Sequence, residues 1–174
     1  MQIVGITGRK QSGKTTAAEY LALKLVGHYN CSFADPIKRM LRILGLDEEQ
    51  LNGSAKEACD LRYGKSPREM MQTLGTEWGR NTIDPDIWLR ALSHQIGDSK
   101  ALIHDVRFGN EAEYVRERGV LIHVVRYLGP GDDDHESEGG VPWKEGDILV
   151  ENYGGKEELF KELDNVVKQL RALP

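Results

Sequence analysis

The sequence predicts an α/β fold built on a mainly parallel sheet. Three observations carry this. Short apolar runs that read as buried strands alternate with stretches of helical periodicity. GRKQSGKT at positions 8–15 meets the pattern G-x-x-x-x-G-K-[ST] at every fixed position, with an apolar run before it and a helical pattern after it. No internal repeat or low-complexity segment interrupts the alternation.

Residues 2–7 (QIVGIT) read as a buried strand running into a glycine turn. From Lys14 to about Val26, Ala17, Ala18, Leu21 and Leu25 share one helical side, and Gly27 suits the stop. Residues 31–33 are expected as a short second strand. Asp35-Pro36, Ser66-Pro67 and Asp84-Pro85 each set a capping side chain before a proline, which predicts three helix starts. Glu69 completes a capping box with Ser66. Ile37, Met40, Leu41 and Leu44 mark the apolar side of the first of these helices. In the second, Met70, Leu74 and Trp78 form an apolar stripe, while Arg68, Gln72 and Thr76 form a polar one. Trp88, Ala91 and Leu92 mark the third.

Residues 101–105 (ALIHD) are the next clear strand, ending in an aspartate. Asn110 is expected to cap a helix that runs to Arg118, with Gly119 as its stop. Residues 120–125 form a strand and 148–150 a shorter one. The last helix, about 156–171, carries Leu159, Phe160, Leu163, Val166, Val167 and Leu170. Two stretches break the pattern. Residues 45–65 read as an irregular connection. Residues 129–147, rich in Gly, Asp and Glu, read as a loop, of the length that in compact domains often serves as a lid.

The chain of 174 residues is the size of one domain, with 39% hydrophobic and 29% charged residues. No run of 18 apolar residues predicts a membrane span. The opening MQIVGITG has no leader pattern and reads as the first strand of a cytoplasmic protein. Two cysteines, Cys31 and Cys59, form no metal or disulfide pattern. A net charge of −5 argues against a nucleic-acid partner. A polyphosphate ligand needs local positive charge, and Arg39, Arg42, Arg62, Arg68, Arg80 and Arg90 supply it in the middle of the chain.

The turn at 8–15 has a clear chemistry. Gly8 and Gly13 allow backbone angles that other residues resist, so successive N–H groups can face phosphate oxygens. Lys10, Ser12, Gly13 and Thr16 are candidate contacts to a nucleoside triphosphate. Lys14 is the cation for its β- and γ-phosphates, and the Thr15 hydroxyl is placed to ligate Mg²⁺. Asp105, at the end of its strand, is the candidate for a water-mediated contact to the same metal. The guanine-recognition pattern N-K-x-D of GTPases does not occur. What remains is a protein with a second, small acceptor.

FADPIKRML (33–41), SPREMMQTLGTEWGR (66–80), DPDIWLRAL (84–92) and DVRFGNEAEYVRERG (105–119) resemble the bacteriophage deoxynucleoside monophosphate kinases. With the phosphate turn they cover most of the chain. The resemblance implies a single three-layer P-loop kinase domain with a five-stranded parallel sheet. It also implies a helical monophosphate-binding insert over 35–97 and a short lid over 127–147. The implied activity is phosphorylation of deoxynucleoside monophosphates, with ATP as donor and Mg²⁺ as cofactor. On this basis Asp35 and Lys38 face the acceptor. Arg68 and Gln72 hold its phosphate and base, and Gly75, Thr76 and Trp78 shape that pocket, with Trp88 at a matching position. Asp105 and Arg107 stand between donor and acceptor, Arg107 joining Lys14 as a catalytic cation. Asn110 and Glu111 complete the D-V-R-F-x-N-E pattern, and Asn152 falls where the family places donor-base contacts. A homodimer is compatible with the resemblance, and a phage origin would place the protein in the host cytoplasm.

One departure stands out. Residues 127–147 contain no arginine, so the lid supplies no guanidinium clamp. Trp78 and Trp88 fit core packing as well as base stacking. Two other functions share these features. One is a small-molecule kinase of the same branch, of the dephospho-coenzyme A or phosphomevalonate type, which differs in its acceptor. The other is a regulatory module that binds a nucleotide without transferring phosphate.

Overall fold

In a computed structural model, which describes residues 3–9, 11–126 and 141–172, five parallel strands form one sheet. The strands are β1 (Ile3–Thr7), β2 (Tyr29–Cys31), β3 (Ala101–Ile103), β4 (Gly119–Val125) and β5 (Ile148–Glu151), in the order β2-β3-β1-β4-β5. The helices are α1 (Lys14–Lys24), α2 (Asp35–Ile43), α3 (Glu48–Asn52), α4 (Pro67–Gln72), α5 (Ile87–Ile96), α6 (Gly109–Arg118) and α7 (Lys156–Ala172). The chain divides into two units, residues 1–32 with 96–174, and residues 33–95.

The sheet lies in the first unit. β1 is central, paired with β3 through Ile3↔Ala101 and with β4 through Ile3↔Gly119. All five of its residues are buried, because both faces of a parallel sheet are covered by helices. Val4 and Ile6 pack on one face with Ala17, Ala18 and Leu21 of α1 and Leu159, Leu163, Val166 and Leu170 of α7. Gly5 points to the other face, where a methyl group would come within 2.7 Å of Val115 in α6. The layering is therefore helix, sheet, helix. Tyr20 of α1 stacks on Phe160 of α7 with ring centroids 4.3 Å apart.

The expected second strand is shifted. β2 occupies Tyr29–Cys31 rather than 31–33, held by pairing of Tyr29 with Ala101 and Cys31 with Ile103. Ser32 and Phe33 are buried beyond its end. Local apolarity marked the buried residues, but the partner strand sets where pairing stops.

The second unit has its own core of Ile37, Leu41, Leu46, Leu51 and Trp88, with Met70, Met71 and Leu74 packed against it. Its helix starts differ in part from expectation. Ser66 caps α4 as predicted: its hydroxyl accepts from Glu69 N, and the Glu69 carboxylate accepts from Ser66 N at 2.7 Å. Asp35 is not a cap. Ala34 holds that place, and Asp35 lies inside the first turn, where its charge favours the positive helix end. Asp84 builds a turn instead, accepting from Asp86 N on its side chain and from Ile87 N on its carbonyl, and α5 begins after it.

Two further differences are larger. The 45–65 stretch is structured: Asp47 and Gln50 form a capping box for α3, and a 3-10 turn follows at Ser54–Glu57. Asp60 ties it together, accepting from Gln50 Nε2 at 2.8 Å and from Arg62. Those hydrogen bonds, with the Arg62 guanidinium first, hold its carboxyl far below the ordinary range. Beyond α4 the chain widens into a π-helical run, Thr73–Ile83, in which Asp84 N bonds back five residues to Gly79 O at 3.0 Å. This change of period breaks the predicted 70-74-78 stripe. Trp78 is 41% exposed, whereas Trp88 is 3% exposed.

Candidate functional site

The phosphate turn is a tightly constrained stretch of backbone in the first unit. Gly8 has φ +148° and Gly13 has φ +98°, and between them Gln11 also adopts a positive φ of 64°. A side chain at Gly8 would strike the carbonyl oxygen of Val124 in β4. These are angles that cost an L-residue about 1–2 kcal/mol, so the loop is built to a shape rather than left slack. Lys14 folds over the turn, its ammonium donating to the carbonyl oxygens of Gly8 and Arg9. Ser12 is buried, and its hydroxyl has no hydrogen-bond partner among the described residues.

α1 starts at Lys14 from Gly13, with no side-chain cap and no acidic residue in its first turn. α3, α4 and α6 each carry acidic residues in that position. A helix start that carries positive partial charge and no built-in anion suits a phosphate. Thr15 is exposed on the first turn and Thr16 is partly buried. Positively angled glycines, a cation over the loop and an exposed hydroxyl beside it together fit a Mg²⁺-bound triphosphate. Lys10 lies outside the described residues.

Asp105 and Arg107 reach the same edge of the sheet. β3 neighbours β1, and beyond their paired residues Val106 N donates to Ile6 O at 3.1 Å. This sets Asp105 and Arg107 at the carboxyl end of the strand next to β1, where ligands of open α/β sheets gather. Glu111 fixes the segment from below. It is 2% exposed, and its Oε2 accepts from Arg107 N at 2.9 Å and Phe108 N at 3.2 Å. The expected cap at Asn110 is therefore replaced: the helix starts at Gly109, and Glu111 supplies the reciprocal bond. The D-V-R-F-x-N-E spacing puts that carboxylate one turn beyond the arginine whose backbone it holds.

Asn152 follows β5, and its backbone N donates to Val125 O at 2.7 Å. Its side chain, the candidate donor-base contact, is 5% exposed, and its amide Nδ2 donates to Ser12 O at 2.9 Å. This link spans 140 positions, and nothing local in the sequence marks it.

The candidate acceptor residues belong to the second unit. Arg68, Gln72 and Thr76 are exposed, and Asp35 and Lys38 are partly buried in the first turn of α2. Arg68 pairs with Glu57 on the surface. Gly75 is buried, and its carbonyl accepts from Trp88 Nε1 at 2.7 Å and from Arg80 at 3.3 Å. Trp88 thus belongs to the core of this unit, with its indole N–H spent on the backbone, and Gly79 leaves room for its ring. Trp78 keeps an exposed face. Of the lid expected over 127–147, residues 127–140 lie outside the described residues. Residues 141–147 end in Asp147, which binds Arg116 and His123.

Among the described residues no helix is long and apolar enough to cross a membrane, and no group of three His, Cys, Asp or Glu side chains could hold a metal unaided.

Residues 49–163 match the family model described as deoxynucleotide monophosphate kinase. A protein of Acanthamoeba polyphaga mimivirus that bears the same family name is 36% identical, over 96% of each chain. The deoxynucleotide monophosphate kinase of Enterobacteria phage T4 is 35% identical over 60% of this chain and 46% of its own length. The deoxynucleoside-5'-monophosphate kinase of Escherichia phage T5 is 37% identical over 57% of this chain and 44% of its own. The chain thus aligns with a little under half the length of these phage relatives. Among solved structures, TT1252 from Thermus thermophilus superposes with a TM-score of 0.56 at 18% identity, covering 97% of both chains, which supports the fold. With the phosphate turn, the five-stranded parallel sheet and the family match all in place, the chain belongs to the deoxynucleotide monophosphate kinase family.

Proposed function

We propose that the protein transfers the terminal phosphoryl group of ATP directly to the phosphate of a deoxynucleoside monophosphate, yielding ADP and a deoxynucleoside diphosphate. The observation that carries this is the Gly8–Thr15 turn: positively angled glycines under a lysine ammonium, at an uncapped helix start, in a chain of this family.

The backbone N–H groups of the turn take the donor's phosphate oxygens. Lys14 exchanges its two carbonyl partners for those oxygens and offsets their charge. Mg²⁺, when bound, would be held by the Thr15 hydroxyl and through water by Asp105, and would neutralise phosphate charge. Arg68 and Gln72 grip the acceptor phosphate and base, Asp35, Lys38 and Thr76 add polar contacts, and Trp78 offers its exposed face to the base. Arg107, its backbone fixed by Glu111, adds a cation. The acceptor oxygen is already anionic, so no strong general base is needed and alignment with charge neutralisation suffices.

The test is ADP formation with ATP, Mg²⁺ and each deoxynucleoside monophosphate in turn. ADP release that depends on at least one of them, with a labelled diphosphate as product, is the expected result. Release indifferent to every monophosphate would overturn the reading. Acceptance only of dephospho-coenzyme A or phosphomevalonate would move the protein to the neighbouring kinase class.

A further inference from the structure

Asn152 sits in the wall of the donor turn without being part of its sequence pattern. Its side chain is buried, and its Nδ2 donates to Ser12 O at 2.9 Å. It is itself anchored at the sheet edge, because its backbone N donates to Val125 O, the last residue of β4. Gly13 makes the approach feasible, since a Cβ there would lie 2.6 Å from the same amide nitrogen.

The consequence follows from peptide geometry. Ser12 C=O and Gly13 N–H belong to one planar, trans peptide group and point in opposite directions. Fixing the carbonyl toward Asn152 therefore fixes the Gly13 N–H away from it, on the open side of the turn. Without that bond the 12–13 peptide is free to rotate, since Gly13 lacks the Cβ that restricts other residues. We propose that Asn152 is a positioning residue that aims the Gly13 N–H at the donor's phosphate chain, and that it does not read the donor base. This role rests on the donor-site reading given above.

The two roles separate with a ligand that has no base. Inorganic tripolyphosphate and ATP would be titrated calorimetrically, each with Mg²⁺, into the wild-type chain, Asn152→Asp and Asn152→Ala, with Lys14→Ala as the control for the donor site. Asp keeps the size of the side chain but cannot donate to Ser12 O. Both ligands are expected to bind Asn152→Ala, which removes the donor without adding a charge beside the anionic ligand, about tenfold more weakly, the equivalent of ~1.4 kcal/mol, and Asn152→Asp more weakly still. Acceptor affinity is expected to stay unchanged. Weaker ATP binding with unaltered tripolyphosphate binding would show that Asn152 meets the nucleoside and would overturn the proposal. A measurement on the wild type guards against a variant that does not fold: the Gly13 amide resonance should move on adding tripolyphosphate, and a resonance that stays put would overturn the proposal by itself. Should the wild type bind neither ligand and Lys14→Ala change nothing, the donor-site reading falls, and this role with it.

Discussion

Arg116 and Asp147 form a paired ion contact, with Arg116 Nε 3.0 Å from Asp147 Oδ1 and a terminal guanidinium nitrogen 2.6 Å from Oδ2. The pair joins α6 to the residue before β5, and His123 of β4 adds a third partner at 2.8 Å. The Lys144 backbone N–H also donates to Asp147. This cluster sets where the segment ending at 147 rejoins the sheet.

Burial alone would raise the Asp147 carboxyl, but the Arg116 guanidinium, the Lys144 N–H and His123 outweigh it and hold its pKa below the ordinary value. A carboxylate depressed in the folded state adds stability above its unfolded pKa and loses it as pH falls through the folded one. Acid should therefore weaken the protein below about pH 4 partly through this residue. Asp147→Ala, which leaves Arg116 with Glu113 and the Pro142 carbonyl but takes the carboxylate from Arg116 Nε and from His123, is expected to cost on the order of 2 kcal/mol at neutral pH. Urea denaturation at pH 7 and pH 3.5 checks both points, and the deficit of the variant should shrink at the lower pH. An equal deficit at both values would place the effect in packing rather than charge.

Arg68 is expected to act on the acceptor alone. Arg68→Ala should raise the KM for the monophosphate by about tenfold or more, as loss of a charged hydrogen bond implies, and leave the KM for ATP unchanged. Its surface pair with Glu57 contributes ~1 kcal/mol or less, so the melting temperature should barely move. Steady-state kinetics with each substrate varied in turn decide this, and parallel rises in both constants would argue against the assigned role.

Trp88 is expected to act on stability. Trp88→Ala removes the largest side chain of the second unit's core and should cost ~3–5 kcal/mol. Trp88→Phe keeps most of the ring but leaves the Gly75 carbonyl without its indole partner and should cost less, ~1–3 kcal/mol. Chemical denaturation gives both values. A fully stable Trp88→Ala with weakened acceptor binding would return this residue to the binding surface.

What the sequence revealed and what it withheld follow physical lines. The phosphate turn was legible because its shape demands glycine at two fixed positions, and Gly8 and Gly13 do take positive φ. The strands β1, β3 and β4 were legible because burial on both faces leaves unbroken apolar runs. The α3 helix was missed, although Asp47 and Gln50 spell a capping box in the sequence. The π-helical run could not be read, because the 70-74-78 spacing fits an α-helix as well. It is the backbone bond from Asp84 N back five residues to Gly79 O that reveals the wider turn. Asn152 and Asp147 were obscure for another reason. Their partners lie far away in sequence, and an isolated Asn or Asp beside a strand carries no mark of what it will meet.

The proposed reaction carries a phosphoryl group from the 8–15 turn to a second nucleotide. Transfer of radiolabel from the γ-position of ATP to a deoxynucleoside monophosphate, compared between the wild type and Lys14→Ala at matched folding, tests it most directly. A labelled diphosphate is expected from the wild type, with a fall of at least about 10²-fold for the variant, as loss of a charge-stabilising group at a transition state implies. A Lys14→Ala protein that turns over at the normal rate, or a wild type that releases label only as inorganic phosphate, would contradict it.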